Sequence, residues 1–315
     1  MSLRIVFLGT GRLAQPVFQA LCGSPHIVVG LVTQPDRTGP GHHRHQNPLK
    51  ELAAGRAIPI LQPVKIKTSE SVAALRALNA DLFVVAAYGQ ILSREILDMP
   101  RLGTINVHAS LLPKHRGATP IHAAILHGDA DAGITIIRLV PELDAGPMLG
   151  VVRTPVAADE TTGALEARLA DLAPTLTLDV IHGLEAGTID AVEQDHAQAT
   201  HAGKLDKQDG RLPWTRSAID IERHIRGMQP WPGPFTLLHQ PDKPPLRMQV
   251  LHAVPMDSDD PLPPGTIIAV DASQFTVRCG DGSLCITQVH PDGKRPMPAG
   301  DFLRGRTVHT GDKCE

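Results

Sequence analysis

A chain of 315 residues, 42% apolar and 20% charged, is too long for one ordinary domain, suits two, and is not composed like a disordered polymer. Its net charge of −3 divides at residue 206 into 17 basic against 20 acidic residues before and 13 against 13 after, without the basic excess of a nonspecific nucleic-acid binder. Cys22, Cys279, Cys285 and Cys314 make no C-x-x-C pair, the first apolar run is short, and no run approaches the roughly 20 residues that span a bilayer, so a reduced, cytoplasmic protein without structural zinc, signal peptide or membrane anchor is expected.

Aromatic residues are only 3%, so the interior must be built from Leu, Ile, Val and Ala, which suits a parallel sheet covered by helices. Residues 3–8 read as a buried strand, 9–12 as a tight turn and 14–22 as a helix. A second strand follows at 27–33 and a third at 82–86, after an Ala/Leu-rich helix over 69–78. Further strands are expected at 104–108 and 134–140, around a helix over 120–126, and 162–184 reads as one long helix or a broken pair. Beyond Gly187 the periodicity fades into a polar stretch, taken as a linker over 188–206 between a first domain, 1–187, and a second, 207–315. The second domain has one helix, 217–228, and five short strands at 235–238, 248–253, 265–270, 275–278 and 284–289, with turns rich in Pro, Gly and Asp. The fold class is therefore α/β: a Rossmann-like doubly wound sheet followed by a small OB-like β-barrel.

The chemistry is concentrated in one stretch. Asn106 and His108 stand two apart on a strand, so both side chains leave the same face. An amide donor beside a titratable base suits acyl transfer, which needs a proton acceptor for the nucleophile and donors for the oxyanion. A lone Asn-x-His is more often two satisfied polar residues at a strand end. Here it continues into Ser110, Leu111, Leu112 and Pro113, then Arg116-Gly117, and downstream comes Leu143-Asp144-Ala145-Gly146.

Together these motifs resemble the signature of the folate-dependent formyltransferases. The resemblance implies that Asn106, His108 and Asp144 form a catalytic trio. It further implies that Ser110, Leu111, Leu112 and Pro113, with Tyr88, Gly89, Gln90, Ile91 and Leu92, hold 10-formyltetrahydrofolate largely through backbone groups, without a metal. The segments Lys204-Leu205-Asp206-Lys207, Pro213-Trp214, 225–232, 264–266 and 293–302 are similar to the C-terminal domain of the tRNA-acting members of that family. They imply initiator methionyl-tRNA as the acceptor, met by Arg44, Lys204 and Lys207, and a monomer acting in translation initiation. Arg116 and Arg138 read as structural or surface arginines and stay outside the expected site.

The first loop reads Gly9-Thr10-Gly11, where the family usually has Gly-Thr-Pro. The loop after Arg37, ordinarily rich in Gly and basic residues, contains His42, His43 and His45, with Arg44 the sole permanent cation between Arg37 and Lys50. Neutral imidazoles attract phosphate less than Arg or Lys, so a paralogue formylating another amine stays open. The histidine cluster reads as a solvated loop rather than a metal site, having no nearby Cys and no regular spacing. A nicotinamide-dependent oxidoreductase is the competitor from another class, because Gly9-x-Gly11-x-x-Ala14 fits a dinucleotide fingerprint with Asp36 as the ribose acid. That fingerprint predicts nothing at Asn106, His108 or Asp144. A noncatalytic RNA-binding module is the third reading, supported by the barrel and opposed by its neutral charge.

Overall fold

The computed structural model describes residues 2–36, 47–241 and 243–315. They divide into two compact units. The first comprises the chain to Ile121 together with Asp131–Pro155 and Leu165–Gly203, and the second comprises His122–Ala130, Val156–Ala164 and Lys204–Glu315.

In the first unit the chain runs β1 (Arg4–Gly9), α1 (Ala14–Gly23), β2 (Ile27–Val32), α2 (Pro48–Ala54), β3 (Ile60–Leu61), α3 (Ser69–Ala77), β4 (Leu82–Ala86), α4 (Arg94–Leu97), β5 (Thr104–His108) and β6 (Arg116–Gly117). Then come α5 (Pro120–His127), β7 (Asp131–Arg138), β8 (Met148–Pro155), α6 (Thr162–Ala186) and β9 (His201–Ala202), with α5 and the start of α6 contributing to the second unit. The strand order is β3-β2-β1-β4-β5-β7-β8, parallel through β5 and antiparallel for the last two. The expected parallel sheet thus carries an antiparallel edge.

β1 and β4 are almost wholly buried, which is why their sequences are unbroken apolar runs. β8 leaves no apolar run because beyond Leu149 it alternates half-buried and exposed positions along an edge, and it includes Gly150 and Arg153. The long helix is unbroken, although Pro174 lies inside it.

The stretch read as a linker is tied to the first unit up to Gly203. Val192 exchanges backbone hydrogen bonds with Met148, and β9 lies parallel to β6. These ties are backbone and polar, so they leave no hydrophobic period to read.

The second unit holds α7 (Ala218–Gly227), β10 (Phe235–Gln240), β11 (Lys243–Met256), β12 (Ile267–Val270), β13 (Phe275–Arg278), β14 (Ser283–Pro291), β15 (Met297–Pro298), α8 (Ala299–Gly305) and β16 (Lys313–Cys314). Its antiparallel order is β12-β13-β14-β11-β10-β16, and a bridge between Thr266 and Lys313 joins the two ends into a nearly closed barrel. Closure removes the free edges that an open sheet would expose. Ser217 caps α7 by accepting from the Asp220 N–H, and Ile221 and Ile225 of that helix join the barrel core with Val250, Ile267 and Ile286. β11 runs well beyond its expected span because Pro244 and Pro245, tolerated at a strand end, hide the strand pattern there.

Candidate active site

Parallel α/β sheets present ligand sites beyond the carboxyl ends of their strands. β4 and β5 are parallel neighbours, with Val85 paired to Asn106, so the segments that follow them, 87–92 and 109–113, leave the same edge of the sheet. β5 delivers Asn106 and His108, and the loop between β7 and β8 brings Asp144 to them. Asn106 Nδ2 lies 3.5 Å from Asp144 Oδ1, and His108 Nδ1 lies 3.6 Å from Asp144 Oδ2. The structure therefore assembles the three expected residues.

His108 and Asp144 are both buried, at 4% and 7% exposure. The second nitrogen of His108, Nε2, stands 3.0 Å from the carbonyl oxygen of His115, and a carbonyl can only accept, so this nitrogen carries the hydrogen in the neutral ring. Nδ1 is then left with a lone pair on the Asp144 side. Burial holds the His108 imidazole below the usual histidine range, opposed chiefly by the Asp144 carboxylate. A neutral base at physiological pH is the consequence. Asp144 Oδ2 also accepts from the backbone N–H of Gly117 at 2.8 Å, so the carboxylate is held from two sides.

The backbone around the trio is bent in ways that side chains rarely allow. Asp144 has φ +48° and His115 φ +59°, both left-handed. Gly117 has φ +118°, and a Cβ placed there would meet the Ala202 carbonyl oxygen at 2.4 Å. Non-glycine residues in such conformations need surrounding bonds to hold them.

Ser110, Gln90 and Tyr88 of the expected folate segments turn their side chains inward. Ser110 Oγ donates to the Lys114 carbonyl, while Thr135 Oγ1 donates to the Ser110 carbonyl and accepts the Leu112 N–H. Gln90 is pinned at both ends of its amide, accepting from Ile66 N–H and donating to the Pro63 carbonyl. Tyr88 lies in the core with Val6, Leu8 and Ile66, its hydroxyl without a hydrogen-bond partner among the described residues and pushed up to about 12 by burial. Its ring is therefore core, and the groups these segments leave unengaged are mainly backbone ones. Ala87 and Gly89 both have positive φ, and Ile91 and Leu143 are left 71% and 59% exposed. Leu111 and Pro113 are half-buried, and Leu92 is buried.

Of the other expected residues, Lys204 and Lys207 are exposed and belong to the second unit. Arg44, with His42, His43 and His45, lies outside the described residues. Asp36, weighed as a ribose acid, accepts instead from Lys50 Nζ at 2.6 Å. Among the described residues, no group of three or more His, Cys, Asp or Glu could hold a metal ion, and no helix is long and apolar enough to cross a membrane.

Motif reading misses a ring of residues behind the trio. Arg116 is buried, its guanidinium bonded to Gln194 Oε1 and to His196 Nδ1. Gln194 sits in a stretch without periodicity, where nothing local marks it as buried.

A neutral imidazole, a carboxylate and an amide thus converge at the strand ends of the parallel part of the sheet. Comparison with known proteins gives the class: the chain belongs to the formyltransferase family, whose "Formyl transferase" description matches residues 3–181 and whose "Formyl transferase, C-terminal domain" matches 204–307. The methionyl-tRNA formyltransferase of Pseudoalteromonas translucida (strain TAC 125) is 43% identical over 306 residues, 97% of this chain and 94% of that protein. The enzyme of that name from Ectopseudomonas mendocina (strain ymp) is 44% identical over 306 residues, 97% of this chain and 95% of its own. Among solved structures, an N-formyltransferase from Helicobacter canadensis in complex with folinic acid and dTDP-3-aminofucose matches with a TM-score of 0.65 at 14% identity, over 92% of this chain and 100% of that one. HypX from Aquifex aeolicus in complex with tetrahydrofolic acid matches with a TM-score of 0.60 at 17% identity, over 99% of this chain and 51% of its own. At such identities these two speak to the fold.

Proposed function

We propose that this chain transfers the formyl group of 10-formyltetrahydrofolate to the amino group of methionine on initiator methionyl-tRNA, with Asn106, His108 and Asp144 as its catalytic residues. The observation that carries the chemistry is the buried carboxylate of Asp144 standing against both Asn106 and the lone-pair side of His108. Relatives of 43 and 44% identity over nearly the whole chain support the choice of acceptor.

The donor fits the residues present. Backbone groups of 88–92 and 110–113 and the exposed apolar side chains of Ile91 and Leu143 suit a flat aromatic ligand with polar edges. Asn106 donates one amide N–H toward Asp144 and keeps the other for the formyl oxygen as it gains negative charge. Losing such a donor costs about 10² to 10³ in rate. His108 takes a proton from the attacking amine at Nδ1, and the resulting imidazolium lies between two acceptors, the His115 carbonyl and the Asp144 carboxylate. The same proton passes to the folate nitrogen as its bond to the formyl carbon breaks, so His108 ends as it began and the products are formyl amine and tetrahydrofolate. Burial keeps the ring neutral and ready; the carboxylate favours it once charged.

The second unit supplies the tRNA contact in this reading, beginning at Lys204 and Lys207. A cavity of about 410 Å³ within it is lined by Lys207, Trp231, Phe235 and Arg247 among others, with the Arg247 guanidinium 4.0 Å above the Phe235 ring and Trp231 47% exposed. Cations beside aromatic faces suit phosphate and base together.

The test is formyl incorporation from labelled 10-formyltetrahydrofolate into initiator methionyl-tRNA, elongator methionyl-tRNA and a panel of free amines and amino sugars. Preference for the initiator is expected. Transfer to an amino sugar alone would replace the tRNA reading with the paralogue reading and leave the chemistry standing.

A further inference from the structure

The catalytic carboxylate has to be held in place by something, and its own backbone conformation works against it. Asp144 adopts a left-handed φ of +48°, and Gly146 passes so close to the Arg138 carbonyl that a Cβ there would sit 1.9 Å from its oxygen. A loop bent this way relaxes unless its peptide groups are bonded from outside.

Two of those bonds, at Asp144 and Gly146, come from one side chain. Gln194, 4% exposed, donates from Nε2 to the carbonyls of Asp144 and Gly146, both at 2.8 Å. Its Oε1 accepts from Arg116 Nε at 3.1 Å and Nη2 at 2.7 Å, so both donors and both lone pairs of the amide are used. Arg116 is followed by Gly117, whose N–H holds Asp144 Oδ2. The same segment is fixed from behind by the strand after Gln194: Thr200 accepts the N–H groups of His115 and Arg116, and the Ala202 carbonyl accepts that of Ala118. One amide thus grips the loop that carries the carboxylate and the segment that binds it.

We propose that Gln194 is a positioning residue for the reaction, setting the Asp144 carboxylate against His108 through the carbonyls of Asp144 itself and of Gly146. A buried, satisfied glutamine usually serves packing alone. Here both acceptors of its amide hydrogens belong to the catalytic loop, within two residues of the carboxylate. The proposal rests on Asp144 being catalytic, and its test separates the two ideas.

The experiment uses the full-length enzyme with 10-formyltetrahydrofolate and initiator methionyl-tRNA. Gln194→Glu keeps an acceptor for Arg116 but cannot donate to the two carbonyls, and Gln194→Met removes both functions at similar length. Each is measured alone and with Asp144→Asn, by single-turnover transfer of labelled formyl. An ångström of misplacement costs up to ~10² in rate, so kcat should fall by about tenfold or more, with KM for the folate unchanged within about twofold.

Groups that face His108 are Asp144, His115 and Arg116, and of these the carboxylate alone raises its proton affinity from a charged side chain. Displacing the carboxylate should therefore move the ascending limb of the pH–kcat profile to lower pH. A purely structural role would lower the melting temperature and leave that limb in place. In the Asp144→Asn background, the Gln194 change should add nothing, because contacts acting through one group are not additive. An unmoved limb with undiminished kcat, or an equal loss in both backgrounds, would overturn the positioning role. Wild-type turnover in Asp144→Asn alone would instead overturn the catalytic reading beneath it. Should Gln194→Glu fail to fold, the Met variant carries the same comparisons.

Discussion

The two units bury polar groups for different ends. In the first, the bonds of Gln194, Arg116, Gly117 and Thr200 converge on a bent loop and leave His108 and Asp144 held at one edge of a sheet. In the second, Gln240 Nε2 donates to Asp312 Oδ2 at 2.6 Å and to the Thr307 carbonyl at 2.8 Å, Arg306 Nε donates to Gln240 Oε1, and Trp214 Nε1 donates to Thr236 Oγ1. The Gln240 bonds tie residues 306–312 onto β10, and the Trp214 bond ties the segment before α7 to the same strand. The same kind of interaction fixes the proposed catalytic geometry in one unit and seals a sheet in the other. Damage to the first network should appear as lost rate, and damage to the second as lost stability.

His108→Ala tests the first half of that contrast most strongly. Removal of a positioned general base should lower kcat by about 10² to 10⁴, while folate affinity, resting largely on backbone groups, changes little. Stopped-time formylation together with a folate binding titration checks both. Turnover near that of the intact enzyme would remove His108 from the mechanism.

Next comes Gly117→Ala, which strikes the support of the trio rather than the trio. A Cβ at φ +118°, 2.4 Å from the Ala202 oxygen, must push β6 from β9 and pull the N–H away from Asp144. We expect kcat to fall by about tenfold to 10², the scale of a small misplacement, with a smaller change in KM. A variant with lower melting temperature but unchanged kcat would show that this N–H does not set the carboxylate.

The opposite behaviour is expected of Gln240→Leu. Its loss leaves Asp312 and Arg306 short of partners inside the second unit, which costs about 1 to 3 kcal/mol. Denaturant unfolding should show the loss, and turnover at saturating tRNA should not. A fall in kcat as large as that of Gly117→Ala would erase the distinction between the units.

The sequence made one of these networks half visible and the other not at all. Asn106 and His108 are legible because a strand's period of two puts them on one face, and Asp144 because its loop motif resembles a known one. Strands buried on both faces, such as β1 and β4, declare themselves as apolar runs. Gln194 carries no such sign, since what places it is pairing between β6 and β9, about 85 residues apart, and hydrogen bonds leave no period. The edge strand β8 and the Pro-containing start of β11 were obscured for related reasons: exposure on one side and a residue type that argues against strands.

A smaller effect should come from the aromatic and cationic cavity of the second unit. Trp231→Ala removes an exposed ring beside Lys207 and Arg247. Stacking of one base is worth about 1 to 3 kcal/mol, so KM for tRNA should rise on the order of tenfold, with kcat and folate KM unchanged. An unaltered tRNA KM would take this cavity out of the interface and leave the contact to Lys204 or to the segment around Arg44.

The smallest effect vanishes above neutrality and sharpens the contrast through pH. His26 and His108 in the first unit, and His122 and His224 in the second, are all held below the usual histidine range by burial, the largest cause at each. His224 shows the reason most plainly. Its Nε2 is buried without a hydrogen-bond partner among the described residues, so a proton added there would be stranded, and the pull of Asp209 is opposed by Arg216. The unfolded chain, with an ordinary imidazole, binds that proton more readily than the folded one. Linkage then fixes the sign: the contribution is fully present above the unfolded value near ~6.5 and is lost as pH falls below it, toward the depressed folded value. Carboxylates titrate mostly below this window, which isolates the histidines between pH 7.5 and 5.5. Because His224 lies outside the proposed catalytic residues, His224→Gln should unfold in urea with less pH dependence than the parent across that range, while the shape of its pH–kcat profile stays that of the parent. The comparison turns on slope, since the substitution also alters packing and shifts stability at every pH. If both proteins lose stability equally on acidification, His224 is not held neutral by the second unit, and the acid response belongs to the other buried histidines.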